Sequence, residues 1–279
     1  MKFNKVAIIG VGEIGGSIGK AIREKKLARE VIGISRRLSS LKNAMKSRAI
    51  DKFFLLEKIK EGVSGADLII LATPILKIVE LGKEAIFYAK KGAIITDVGS
   101  TKKSIVCELE KHMPGKVKFI GSHPMAGSEK GGCLNSDPRL FENHDCFITK
   151  TVNTDKNALK ILKNFWKNLG ANPIEITVDE HDRIVGNISQ MVHIAASSLV
   201  IANKDILKYA ASGFRDTTRV ALSDPEIWKD ICITNNKNIS EALGDLINIL
   251  KKFKKAISGK DVSTIYSMLK KARALRKLL

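Results

Sequence analysis

GVGEIG, Gly10 to Gly15, is the first stretch whose residue types and spacing point to chemistry. It follows the apolar run KVAIIG (5–10) and opens the amphipathic stretch GGSIGKAIREKK. Gly10 permits a tight turn, Gly12 lets backbone amides approach a pyrophosphate, and Gly15 lets the following helix pack close to the strand. Glu13 and Ile14 lie inside the same loop. The helix N-terminus presents unpaired N–H groups and partial positive charge to phosphates. Strand before and helix after give the glycines a context that a bare motif lacks, and the expectation is dinucleotide binding.

The ribose-reading position falls about twenty residues further on, where a carboxylate would hold the 2′-hydroxyl of NAD. Here the strand VIGIS (31–35) ends in Ser35, followed by Arg36 and Arg37. A hydroxyl and two guanidinium groups suit a dianionic 2′-phosphate, which arginine grips through paired donors. The two arginines could equally be exposed loop residues. With no acid in the turn, NADP is the favoured cofactor and NAD a possible one.

Further strand candidates are DLIILA (67–72), GAIITDV (92–98), KFIGSH (118–123), CFITK (146–150) and PIEIT (173–177). Continuous apolar strands separated by amphipathic segments indicate a parallel sheet covered on both faces. Ligands of such sheets sit beyond the carboxyl ends of the strands. Three ends carry small or polar residues: LATP (71–74), DVGSTK (97–102) and SHPMAGSEKGG (122–132). Thr73 and Pro74 form a plausible wall for a nicotinamide. After Thr177 the pattern turns to long periodic segments, with Asp224 placed to N-cap a helix and Pro225 at its first position. The reading is therefore an α/β chain. Residues 1–178 form a Rossmann-type, doubly wound, mostly parallel sheet domain, and residues 179–279 form an all-α substrate-binding and dimerisation domain.

The motifs GVGEIGGSIG, LATP, DVGSTK, GSHPMAGSEKGG, DEHDRIVGNISQMVH and GFRDTTRVALSDPEIW occur in that order over nearly the whole chain. Together they resemble the prephenate/arogenate dehydrogenases of tyrosine biosynthesis, and GSHPMAGSE with GFRDTTR is the specific combination. The resemblance implies oxidative decarboxylation of prephenate or arogenate to 4-hydroxyphenylpyruvate or tyrosine. That reaction needs a base at the ring hydroxyl and cations for the carboxylates.

His123 fits the base, since a neutral imidazole at a strand end can take a proton; capping a turn before Pro124 is its plain structural alternative. Ser100 resembles the hydroxyl that positions His123 or contacts the substrate oxygen, and could instead N-cap the helix TKKSIVCELEKHM. Glu129 resembles an acidic residue at the site margin, or is a surface charge. Gly186, Gln190, His193 and Ser197 share one helical stripe. His193 matches the family's second histidine, implied to contact the substrate side chain. The family pattern SHLPH reads SQMVH here, a departure at Gln190 and Val192 that bears on substrate preference. His181 and Asp182 match a family signature and are read as residues supporting the site or the domain hinge. Arg219 matches the arginine implied to bind a substrate carboxylate, with Arg215 and Asp216 as a structural pair. Trp228 matches a ring-packing residue, or is plain core.

Composition bounds the alternatives. The net charge of +19 gathers toward the end, where ten Lys/Arg face the single acid Asp261 after residue 250. No nucleic-acid signature accompanies it, so solvated helix faces are the simpler reading, and the field favours anionic small molecules. The four cysteines show no metal spacing, so no metal is expected. Apolar runs such as LIILATPIL fall short of the ~20 residues of a membrane span, and no leader or further regulatory module is read. A cytoplasmic homodimer is expected. A β-hydroxyacid dehydrogenase or imine reductase would need a lysine-centred helical motif and leaves GSHPMAGSE unexplained. A non-catalytic dinucleotide-binding regulator would tolerate loss of His123 and Arg219, and both are present.

Overall fold

The computed structural model describes residues 2–113, 115, 117–127 and 131–278. Six strands form the main sheet: β1 (Phe3–Ile9), β2 (Ala28–Ser35), β3 (Lys52–Leu55), β4 (Leu68–Leu71), β5 (Ile94–Asp97) and β6 (Lys118–Phe119). Their spatial order is β3-β2-β1-β4-β5-β6 and every pairing is parallel. The helices between them are α1 (Glu13–Glu24), α2 (Leu38–Lys46), α3 (Ile59–Val63), α4 (Ile75–Tyr88) and α5 (Lys103–Glu110).

Side chains alternate along a strand, so a sheet apolar on both faces builds two cores. Val6 and Ile8 of β1 pack with Ile18 and Ile22 of α1 and Leu41 of α2. Ala7 and Ile9 pack instead with Ile59 of α3, Ile78 of α4 and Ile105 of α5. The strand order reverses between β1 and β4, which opens a crevice at their carboxyl ends. There the glycine loop and the turn after β4 press together: Gly10 has φ +97°, and a Cβ on it would lie 2.3 Å from the Ala72 carbonyl oxygen.

A second sheet holds β7 (Ser122–Pro124), β8 (Asp145–Lys150) and β9 (Asn172–Thr177), with α6 (Lys156–Leu169) connecting the last two. β7 runs antiparallel to β8, and β8 parallel to β9. Two sequence expectations change here. KFIGSH is two strands, because the chain leaves the main sheet after Phe119 and joins the second at Ser122. Lys52–Leu55 is a strand the pattern did not reveal, a short edge element whose first and last residues are exposed.

From Val178 onward the described chain is helical: α7 (Val178–Val185), a π-helical turn (Gly186–Gln190), α8 (Met191–Ala202), α9 (Ser212–Thr218), α10 (Pro225–Thr234), α11 (Asn236–Ser258) and α12 (Val262–Arg276). No linker separates the halves. Thr177 ends β9 and also N-caps α7 in a reciprocal capping box with Glu180. Asp224 caps α10 with Pro225 in its first turn, as the sequence indicated. The continuous run Val178–Ala202 is long and apolar enough, by length and composition, to cross a membrane. Reading apolar runs one at a time overlooked it.

The helical half does not build its own core. Ile231 of α10 and Ile239 of α11 are buried in the same cluster as Ile78 and Ile105 of the sheet half. α12 has no buried residue, and its Val262, Tyr266 and Leu269 are exposed.

The tight loop makes a clear stability test. A Cβ on Gly15 would lie 2.0 Å from the Gly10 carbonyl oxygen, so Gly15→Ala must displace backbone. Overpacking of this kind costs about 1–3 kcal/mol, and Tm measured by calorimetry should fall by about 2 °C or more. An unchanged Tm would show that the loop relaxes freely.

Candidate active site

A cavity of about 640 Å³ lies between the carboxyl ends of the main sheet and the helical half. Gly12, Glu13 and Ile14 line it from the glycine loop, Thr73 and Pro74 from the turn after β4, and Ser100 from the turn after β5. His123 reaches it from β7, while Gln190, Arg219 and Trp228 close it from the helices. The structure thus brings ten of the sequence candidates to one space. Ser189 and His144 also line it, and neither was singled out from sequence.

Some candidates lie elsewhere. Gly10 and Gly15 shape the loop from behind. Ser35 ends β2, with Arg36 and Arg37 exposed beside it at the same carboxyl edge of the sheet. His193 is buried but does not line the cavity. Its ring stacks on Trp228, with centroids 3.5 Å apart and planes 7° from parallel. Trp228 therefore stands between His193 and the space a substrate would fill, and burial holds His193 below its ordinary pKa. Arg215 donates to the Ala210 carbonyl, 3.1 Å away. Glu129 lies outside the described residues.

The glycine loop fits a dinucleotide. A Cβ built on Gly12 meets nothing within 4 Å, so the space before it is open. α1 begins there with no side-chain cap, leaving its first N–H groups directed at that space. Thr73 Oγ1 is buried without a hydrogen-bond partner among the described residues, which suits a polar group of a bound ligand.

His123 sits on a buried polar network. Its Nδ1 lies 2.9 Å from His181 Nε2, and His181 Nδ1 lies 2.8 Å from Asp182 Oδ1. Asp182 also accepts from the backbone N–H groups of Lys102 and Lys103, at 2.8 and 2.9 Å. This removes the alternative reading in which Ser100 N-caps the helix. α5 starts at Lys103, its N-cap is Lys102, and the cap comes from Asp182 across the fold. The Ser100 carbonyl instead accepts from Gln190 Nε2 at 3.1 Å. Asn235 Nδ2 ties Gln190 Oε1 to the Asp182 carbonyl, at 2.6 and 2.8 Å.

Beneath the histidine, Lys102 is wholly buried and forms an ion pair with Asp97. Its Nζ also donates to the Ser122 carbonyl, 2.8 Å away. The Ser122 hydroxyl meets Thr96 Oγ1 at 2.9 Å and accepts from Trp166 Nε1 at 3.1 Å, which fixes the residue before His123. Burial, then His181 and the Lys102 charge, hold the His123 pKa well below its ordinary value. Burial also lowers His181, against the pull of Asp182. For Asp182 burial acts upward, but the donors His181, Lys103 and Lys102 outweigh it and keep the carboxyl below its usual range. Lys102 closes the DVGSTK motif but was not singled out from sequence, nor was Asn235, and only a family signature pointed to His181 and Asp182.

Comparison with known proteins identifies the family. A family model described as "Prephenate dehydrogenase, nucleotide-binding domain" matches residues 18–175, and one described as "Prephenate dehydrogenase, dimerization domain" matches residues 177–271. The chain is 34% identical to a prephenate dehydrogenase of Bacillus subtilis, over 97% of this chain and 75% of that one. It superposes on a crystal structure of Aquifex aeolicus prephenate dehydrogenase in complex with hydroxyphenyl propionate and NAD+, with TM-score 0.93 and 29% identity, covering 99% and 98% of the two chains. Synechocystis arogenate dehydrogenase follows with TM-score 0.82 and 29% identity, over 98% and 99%. Motifs, fold and cavity agree, and the chain belongs to the prephenate/arogenate dehydrogenase family.

Proposed function

We propose that this protein oxidatively decarboxylates prephenate or arogenate, with NADP favoured over NAD as hydride acceptor and His123 as the base. The observation that carries the reading is one cavity holding an open glycine loop, a neutral buried histidine and an arginine on the opposite wall. In it, residues 1–178 hold the dinucleotide and residues 179–279 close over the substrate and form a homodimer. The exposed apolar residues of α12 support that dimer.

The first N–H groups of α1 and the amides of the glycine loop hold the pyrophosphate. Thr73 and Pro74 bound the nicotinamide, whose oxidised ring, when bound, supplies the acceptor for hydride from ring C4 of the substrate. Arg219 receives a carboxylate through paired N–H donors. Gln190 and Trp228 fix the rest of the substrate, one by hydrogen bonding and one by packing. As C4 loses hydride, His123 takes the proton of the C4 hydroxyl, and the carbon–oxygen bond becomes a carbonyl. The ring carboxylate then leaves as carbon dioxide, and its bonding electrons make the ring aromatic. That step runs strongly downhill, so the demanding task is proton and hydride removal. Ser100 lines the same cavity as His123, and its hydroxyl would hydrogen-bond the same oxygen. Glu129 completes the proposed substrate residues, with His193 supporting Trp228 from behind.

For the cofactor, Ser35, Arg36 and Arg37 offer donors and positive charge where a carboxylate would favour NAD.

Replacing the base separates chemistry from binding. His123→Asn should lower kcat by about 10²–10⁴-fold while dinucleotide affinity by titration stays nearly constant; comparable turnover would remove His123 from the role. Because burial holds this histidine in its neutral form, kcat/KM should fall only as pH drops below the ordinary histidine value of about 6.5. An acid limb at or above that value would contradict it. Arg36→Ala with Arg37→Ala should weaken NADP binding about tenfold or more, each lost charge-assisted bond costing about 1.5–3 kcal/mol, and leave NAD affinity unchanged. A wild-type preference for NAD would overturn the cofactor assignment alone.

A further inference from the structure

The reaction above uses His123 and leaves two wholly buried titratable groups, His181 and Asp182, without a task. We propose that Asp182 and His181 are positioning residues that fix the tautomer of His123, leaving its Nε2 as the proton acceptor facing the substrate. This rests on the assignment of His123 as base and deepens it.

The direction of every hydrogen bond follows from Asp182. Its two oxygens face three N–H donors: Lys102 N, Lys103 N and His181 Nδ1. The two backbone groups can only donate, and a carboxylate so surrounded is ionised and only accepts. His181 Nδ1 therefore carries a proton. In a neutral imidazole the other nitrogen must then be an acceptor, so His181 Nε2 receives the hydrogen bond across the 2.9 Å contact with His123 Nδ1. His123 thus carries its proton on Nδ1, and Nε2 keeps its lone pair. Without the relay, His123 would distribute between two tautomers, and the form protonated on Nε2 cannot take a proton from the substrate.

The ring of His181 is fixed to hold this order. It meets Phe147 of β8 edge-on, with centroids 5.6 Å apart and planes at 88°, and His123 at 5.1 Å and 63°. The relay also answers an electrostatic problem. Around the His123 ring stand Lys102 with Asp97 from the β5–α5 turn, Cys146 from β8, His181 and Asp182 from α7, and Arg219 across the cavity. Lys102 opposes a positive charge on His123. As His123 takes the substrate proton, forming a Nε2–H bond while the hydroxyl O–H bond breaks, the Asp182 carboxylate stabilises the imidazolium through His181. Asp182 need not itself become protonated.

The test uses full-length protein with His181→Gln, His181→Leu, Asp182→Asn and His123→Asn. A glutamine amide can accept from His123 Nδ1 through its oxygen and donate to Asp182 through its nitrogen, whereas leucine can do neither. His181→Leu and Asp182→Asn should lower kcat by about 10²-fold or more, with substrate KM and dinucleotide affinity within about threefold. His181→Gln should retain activity within about tenfold of wild type. In Asp182→Asn the acid limb of the pH profile should move to lower pH, since the imidazolium has lost its counter-charge. Ring-¹⁵N spectra provide a reading independent of turnover: the chain has five histidines, and His123 in the wild type should carry its proton on Nδ1. A wild-type spectrum with the proton on Nε2, equal losses in His181→Gln and His181→Leu, or an unmoved pH limb in Asp182→Asn would each overturn the relay. If His123→Asn keeps its turnover, the base assignment has failed; if it collapses while His181→Leu does not, only the relay has. Should His181→Leu fail to fold, the wild-type spectrum decides.

Discussion

The Asp182 carboxylate is the constraint on which the architecture turns. A buried charge is tolerated only when its hydrogen-bonding capacity is filled, and the partners of Asp182 come from different parts of the fold. Two are the backbone amides that start α5, at the end of the main sheet. The third is His181, its neighbour on α7. The α5 amides would otherwise be unsatisfied helix ends in a buried position. One group therefore terminates a helix of the sheet half and joins it to the helical half. The Asn235 amide, bonded to the Asp182 carbonyl and to Gln190, draws the start of α11 into the same joint.

The second buried charge, Lys102, serves the opposite side of the histidine. Its ion pair with Asp97 and its bond to the Ser122 carbonyl join the end of β5 to the start of β7. The chain changes sheets just before β7, so ladder hydrogen bonds from the main sheet no longer fix it there. Lys102 and the Thr96–Ser122–Trp166 bonds supply that fixation. Two buried polar clusters thus hold one imidazole from either side, and the apolar cores on the two sheet faces carry the burial that offsets their desolvation.

Sequence carried the local features well and the cross-fold ones poorly. The glycine loop, the strand ends, the Asp224 cap and the change of pattern after Thr177 are all written in neighbouring residues, where periodicity and turn chemistry act. Lys102 is different: a lysine in a turn before a helix is ordinarily solvated, and only the approach of Asp97 and Ser122 shows why this one is buried. Ser100 looked like a cap because the residue that caps α5 lies 80 positions away. The stripe of Gly186, Gln190, His193 and Ser197 was legible from spacing, and all but the half-buried Ser197 are buried, but spacing alone cannot say that Trp228 comes between His193 and the cavity. Short strands such as Lys52–Leu55 lack the length for a clear alternation.

The π-helical turn Gly186–Gln190 has a consequence for how this wall is phased. A π turn accommodates one residue more than an α turn, and one residue is about 100° of rotation around a helix axis. Buried positions fall at His181, Asp182 and Val185 before it, at its two ends Gly186 and Gln190, and at His193 and Ala196 after it. The turn carries the buried face from Asp182 at the domain joint to Gln190 at the cavity. Removing a single residue there would leave both helices intact and swing Gln190 off the wall, so the alignment of the two halves depends on a count of residues as much as on their chemistry.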